Sequence, residues 1–241
     1  MLKRYLALDL ETTGISPKTD RIIEIGAVLM ENGVGVKTFH KMVNPRMQVP
    51  EKVVSLTGIT NEMLASEWAI DSCIQEFAAF DEGLPLVGHH IIFDYSFMKR
   101  AMHKSGFSYE RAGLDTLKLS RKFLPRLEHK NLAAVCRELG ICLSENHRAL
   151  ADALAAAQVY EELKKRFYAK GDMDFSPNPL IYTIKKEKTM TKQQKECLQY
   201  LVKCHKIELA IDIDSLNRSE ASRLTDQILS QYGRVIYSQK G

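Results

Sequence analysis

The sequence predicts an α/β domain, a mixed five-stranded sheet flanked by helices, with a small helical module after it. Three observations predict it. The chain opens with three consecutive strand-like runs, two later short apolar strands are each followed by a helical pattern, and the composition changes after Gly171.

Residues 5–11 read as the first strand, which ends in the turn residues Thr12, Thr13 and Gly14. The apolar run 22–30 is linked through Glu31-Asn32-Gly33 to a third run, 34–43, and Asn-Gly between apolar runs is a hairpin signal because these residues tolerate positive φ. The three strands form a meander. Residues 84–88 and 113–115 are two further strands, and the helical patterns behind them favour parallel pairing. Apolar residues at helical spacing mark 72–80, 95–103, 131–139 (stopped by Gly140) and 148–167. The last of these is rich in Ala and Leu and ends in Lys164, Lys165 and Arg166, cations placed where the helix dipole is negative. It closes a main domain spanning 1–170. Residues 171–190, with Pro177, Pro179 and a polar stretch, read as a linker. Within 191–241, Cys197, Leu198, Leu201 and Val202, and then Ala221, Leu224, Ile228 and Leu229, predict helices over 192–206 and 220–232 joined by an extended 208–216.

With 45% hydrophobic and 27% charged residues in 241 positions, the chain has the make-up of a soluble globular protein. No window approaches the roughly 18 uninterrupted apolar residues of a membrane span, so no membrane partner is expected. The stretch after Lys3-Arg4 meets Asp9 and Glu11 too early for a secretory signal. The five cysteines (Cys73, Cys136, Cys142, Cys197 and Cys204) contain no C-x-x-C pair and cannot close an even disulfide framework. A cytoplasmic location is the expectation, with the cysteines as small core residues. The formal net charge of +4 is compatible with an anionic partner without establishing one.

Asp9 and Glu11 stand two apart in a strand, so their side chains leave the same face. Carboxylates flanked by Leu8 and Leu10 are expensive near a core unless a cation neutralises them, which makes this a place to hold metal. The plain alternative is a strand end with an exposed glutamate. Asp94 stands where the strand and loop of 88–93 run into a helix, and an N-cap is its ordinary role there. His147 and Asp152 are separated by about 500° of helix rotation and do not share a helical face. His147 is therefore expected in the preceding loop, bent toward Asp152. Taken singly, each of these residues has an ordinary structural explanation.

Together they do not. The segment 8–14 (Leu-Asp-Leu-Glu-Thr-Thr-Gly), then Leu56-Thr57-Gly58-Ile59-Thr60, Phe93-Asp94 with Phe97-Met98, and His147 with Asp152 resemble, in order and spacing, the three motifs of the DnaQ-like DEDDh 3′→5′ exonuclease family. The pattern is similar to that of the DNA polymerase III epsilon and PolC exonuclease domains. The resemblance covers about the first 170 residues and implies a ribonuclease H-like fold. It further implies that Asp9, Glu11, Asp94 and Asp152 hold two hard divalent cations, Mg²⁺ or Mn²⁺, about 4 Å apart. His147 is then the general base. By the same likeness Thr12 and the backbone at Thr13 face the terminal 3′ hydroxyl, Leu56 and Thr57 pack near the last base and sugar, and Phe93 lines the nucleotide pocket. Two positions depart from the common pattern: Thr57 replaces a frequent histidine and His90 a frequent asparagine. Both lie outside the metal set and are expected to tune substrate grip.

The implied activity is release of nucleoside 5′-monophosphates from nucleic acid 3′ ends, DNA preferred, in proofreading or repair. An RNA-trimming exoribonuclease shares the same motifs, and pocket shape separates the two polymers. A reading of another class makes the chain an accessory subunit whose tail docks on nucleic acid, a DNA polymerase or a helicase. Residues 164–206 carry eleven basic against four acidic side chains, a net +7, which suits either a track for phosphates or a solvated linker and cap.

Overall fold

The computed structural model describes residues 2–143, 147–170, 172–184, 189–209 and 212–233. They fall into two units, Met1–Thr183 and Ile184–Gly241. In the first, β1 (Arg4–Thr12), β2 (Ile22–Glu31) and β3 (Val34–Met42) form the meander. Asn32 and Gly33 both take positive φ, 50° and 83°, the backbone that the turn residues foretold. There follow α1 (Glu51–Thr57), α2 (Asn61–Leu64), α3 (Ile70–Phe80), β4 (Leu86–Gly88), α4 (Ile92–Lys104), β5 (Ala112–Asp115), α5 (Thr116–Phe123), α6 (Leu132–Leu139), α7 (Ala149–Phe167) and β6 (Asn178–Pro179). The sheet order is β3-β2-β1-β4-β5-β6, with β4 and β5 parallel to β1 and the other pairs antiparallel.

The sheet therefore has six strands where five were expected. The sixth lies inside 171–190, the stretch expected to be a linker. Within it a 3₁₀ turn at Asp172–Phe175 drives Phe175 into the core, fully buried against Phe123, Tyr160 and Tyr168. Asn178 and Pro179 then pair with β5. The prolines and polar residues around it masked one aromatic anchor. Residue 171 and residues 185–188, which include the basic Lys185, Lys186 and Lys188, lie outside the described residues. The short helices α1 and α2 were not foreseen, because one or two turns give too few repeats for a periodic signal.

Two cores lie on the two faces of the sheet. Leu6, Leu8 and Leu10 of β1 and Ile25, Ala27 and Leu29 of β2 pack with Cys73, Ile74 and Phe77 of α3 and Tyr95 and Met98 of α4. On the opposite face Tyr5, Ala7, Val28 and Met30 pack under α6 and α7. The alternation is the strand's two-residue period made visible. Ala153, Ala156 and Ala157 let α7 lie close to the sheet. Asp9 and Glu11 continue the α7 face toward the C-terminal end of β1, paired with Gly26 and Glu24 of β2.

The second unit is a helix pair, α8 (Lys192–His205) and α9 (Arg218–Tyr232), each begun by a capping box, Thr191 with Gln194 and Asn217 with Glu220. Leu198, Leu201 and Ile228 are its buried centre. The connection expected to be extended holds a 3₁₀ turn at Ile213–Ser215, and residues 210 and 211 lie outside the described residues. Of the cysteines, only Cys73 and Cys136 are buried; Cys142, Cys197 and Cys204 are exposed, against the expectation of core positions. No helix among the described residues is long and apolar enough to cross a membrane.

Candidate active site

The acidic cluster forms where the C-terminal ends of β1 and β4 meet the first turns of α4 and α7. Asp94 and Asp152 each sit in the first turn of their helix, where backbone dipoles favour negative charge. Asp94 is not the N-cap that its position suggested. Helix α4 starts two residues earlier, and the buried Asp94 Oδ1 instead accepts the Leu10 N–H at 3.1 Å, clamping α4 to the strand between Asp9 and Glu11. Glu11, His147 and Asp152 each place one ligand atom within 4.8 Å of the other two. His147 lies outside α7, exposed, at a φ of +60°, and its backbone N–H donates to Asp152 Oδ2 at 3.1 Å. The expected bend of His147 toward Asp152 is thus present.

The electrostatics of the cluster are those of too many like charges. Burial first, then Asp94, Asp152 and Glu11, holds the Asp9 carboxyl well above the usual carboxylate range. Burial also pushes Asp94 well up, against the N–H groups of its own backbone and Leu10. Glu11 is pushed up to about 7 by burial, Asp152 and Glu24, with Arg148 opposing. Asp152 is raised by burial and held back by its bond from His147. Four carboxyls that hinder one another's ionisation, with an imidazole at their edge, are a hard-oxygen donor set that fits divalent cations.

The expected substrate residues are placed less uniformly. Thr12 and Thr13 are buried at the end of β1. The Thr12 hydroxyl donates to the Gly14 carbonyl at 2.6 Å, and Thr13 Oγ1 accepts from Arg21 N at 2.9 Å, so both hydroxyls shape the loop. Thr57 is also buried, its hydroxyl donating to Val53 O at 2.9 Å and accepting from Ile59 N at 3.1 Å. That hydroxyl serves the end of α1, whereas Leu56 beside it stands 54% exposed. Ile59 of the same segment packs with Ile23 of β2, Val49 and Leu64. His90 is exposed at a φ of +75°, and its N–H donates to Asp115 Oδ1 at 2.9 Å. Its neighbour His89 bridges Thr116 Oγ1 at 3.0 Å and Lys130 O at 2.7 Å, which pins the loop leading to Phe93. Phe93 is half-buried and packs on Phe97 with ring centres 5.0 Å apart.

Three residues of the site's surroundings escaped sequence reasoning: Glu24, Gly26 and His40. The signal was present as a lone carboxylate inside the otherwise apolar run Ile22-Ile23-Glu24-Ile25. Glu24 is fully buried and meets His40 and Arg148. Gly26 has no room for a side chain, since a Cβ there would collide with the backbone of Ala149 and Leu150.

Known proteins resemble this chain. Residues 6–160 match the family model RNase_T, described as an exonuclease. DNA polymerase III PolC-type of Thermotoga maritima is 36% identical over 207 residues, covering 83% of this chain and 15% of that protein. The 3′-5′ exonuclease DinG of Bacillus subtilis is 36% identical over 166 residues, covering 68% of this chain and 18% of its own. The chain thus spans less than a fifth of the length of these curated relatives. Among solved structures, E. coli exonuclease I in complex with a dT13 oligonucleotide matches with a TM-score of 0.61 at 17% identity, over 70% of this chain and 42% of that one. At that identity the likeness is one of fold, the ribonuclease H-like mixed sheet. With a family model spanning most of the first unit, and the motif residues gathered at one end of its sheet, the chain belongs to the RNase_T exonuclease family, of the DnaQ-like type.

Proposed function

We propose that the chain is a 3′→5′ exonuclease that hydrolyses the terminal phosphodiester of DNA with two divalent cations, Mg²⁺ or Mn²⁺, and releases nucleoside 5′-monophosphates. The observation that carries this reading is the convergence of Glu11, His147 and Asp152 within 4.8 Å, beside Asp9 and Asp94. Asp9, Glu11, Asp94 and Asp152 would hold the cations, which when bound supply activation of water and neutralise charge on the leaving 3′ oxygen. The His147 imidazole, at the exposed edge of the cluster, accepts the proton of the attacking water. The bond from the His147 backbone N–H to Asp152 holds the main chain of His147 beside the acids while the residue bears an unfavourable φ.

A 3′ terminus must arrive unpaired. Phe93, braced by Phe97, and the exposed Leu56 offer apolar surfaces for the terminal nucleotide, and the backbone at Thr12 and Thr13 faces its 3′ hydroxyl. The fold neighbour held with an oligodeoxynucleotide supports DNA as the polymer. The name of the PolC-type relative favours a DNA polymerase as the partner; replication or repair in the cytoplasm is the setting we propose with it.

The test is release of mononucleotides from 3′-labelled and 5′-labelled single-stranded DNA and RNA, in Mg²⁺, Mn²⁺ or EDTA, by the wild type and His147→Ala. The expected result is stepwise, metal-dependent shortening from the 3′ end, faster on DNA and lost in the variant. Faster cleavage of RNA would reassign the substrate, and no cleavage with either metal would overturn the reading.

A further inference from the structure

We propose that Glu24 is a positioning residue that seats the start of α7 and thereby sets Asp152 and His147 against Asp9 and Glu11; this rests on the exonuclease reading above. Glu24 is fully buried in β2, a location where an unpartnered carboxylate is strongly unfavourable. It is instead fully engaged. Oε1 accepts from Arg148 Nη2 at 2.9 Å and Nε at 3.1 Å and meets His40 Nε2 at 2.6 Å, while Oε2 accepts the Ala149 N–H at 3.0 Å. These bonds outweigh the effect of burial and leave its carboxyl below the ordinary value, the opposite of the raised acids beside it.

The Ala149 bond has a specific meaning. Ala149 is the first residue of α7, and the residue before it, Arg148, makes no side-chain cap. The first N–H groups of a helix lack partners within the helix. Glu24 fills that vacancy from 125 positions away and serves as the N-cap that the local sequence lacks. On the same face of β2, Gly26 has only a hydrogen where α7 touches the strand. Gly26 sets how near the helix comes, and Glu24 sets where it begins.

The two residues so placed belong to the active-site cluster. His147 lies two positions before Ala149, and Asp152 three after. Glu24 also faces Glu11 across the β1–β2 ladder, a pair of like charges that would repel if left alone. The Arg148 guanidinium, held on Glu24, lowers the Glu11 carboxyl as Glu24 raises it. One side chain therefore anchors the helix and holds the cation that offsets its own charge.

The experiment compares wild type, Glu24→Ala and Glu24→Gln, the last keeping an acceptor for Ala149 N–H and serving if the alanine variant folds poorly. Amide hydrogen exchange is read across the chain, together with kcat and KM on single-stranded DNA. In Glu24→Ala, exchange at the start of α7 should quicken about tenfold, the loss expected of a missing cap, with the rest of the sheet little changed. Because misplacement of reacting groups is severe in its effect, kcat should fall on the order of 100-fold with KM nearly constant, and Glu24→Gln should recover part of it. Unaltered exchange at Ala149 would overturn the anchoring. Faster exchange with wild-type kcat would reduce Glu24 to a purely structural role and overturn the proposal equally. If the wild type itself cleaves nothing, the exonuclease reading falls separately. Calorimetric Mn²⁺ affinity then decides the positioning: weaker binding in Glu24→Ala supports it and equal binding overturns it.

Discussion

On one face of β1, Leu6, Leu8 and Leu10 meet Ile25, Ala27 and Leu29 and the helices α3 and α4; on the other, Tyr5 and Ala7 give way toward the strand's end to Asp9 and Glu11 under α7. The two faces differ by one step along the same backbone. The apolar face gains stability by removing hydrocarbon from water. The α7 face is apolar only where chemistry is absent, and its last two positions carry acids that burial and mutual repulsion disfavour. A strand with a two-residue period thus lets a protein put a destabilising site beside a stabilising core without mixing them.

The sharpest way to break this comparison is Asp9→Asn. Removing one oxygen ligand and its charge should lower kcat on the order of 1,000-fold, a loss of the size seen when an electrostatic contact in a reaction centre is deleted. The same change should raise the Tm of the metal-free protein, because it removes a carboxyl that the fold holds unwillingly; a lower Tm would contradict the repulsion described above. Gly26→Ala tests the contact that joins the faces to α7. It should lower kcat about 100-fold through displacement of Asp152 and, by overpacking, stability by about 1–3 kcal/mol in urea unfolding. Leu8→Ala is the mirror experiment: stability should drop by about 2–5 kcal/mol with kcat per folded molecule nearly unchanged. A large kcat loss there would mean that the faces are not separable.

The smallest effect is in pH. The Glu11 carboxyl sits near 7 in the fold against 4.5 as its reference value, so the folded protein keeps a proton that the unfolded chain gives up in between. Its contribution to stability is present below about pH 4.5 and lost as pH rises through about 7, and Asp9, Asp94 and Asp152 act in the same direction. The Tm of the metal-free protein should therefore fall by several degrees from pH 5 to pH 7.5, and Mn²⁺ should restore much of it at the higher pH. A Tm that rises over this interval without metal would refute the assignment.

Much of the fold was legible because it is written in local patterns: the Asn32-Gly33 hairpin, the Gly140 stop, the basic end of α7. The acids and His147 were legible because their order and spacing carry a family motif. What escaped depends on contacts distant in sequence. Glu24 looks like a stray charge until Ala149 and Arg148 arrive from the far end of the domain. Phe175 looks like part of a linker until Phe123 and Tyr160 surround it. The Thr57 hydroxyl serves the end of a helix that was itself too short to foresee.

The two residues of β6 have a further consequence. They lie at one margin of the sheet, and Pro179, having no N–H, cannot donate to a further strand there. At the opposite margin β3 is studded with Lys37 and Lys41, which discourage the approach of another chain. Both margins of the sheet thus carry features that disfavour the addition of a further strand. Such margins suit a domain that matches short stretches of much longer relatives.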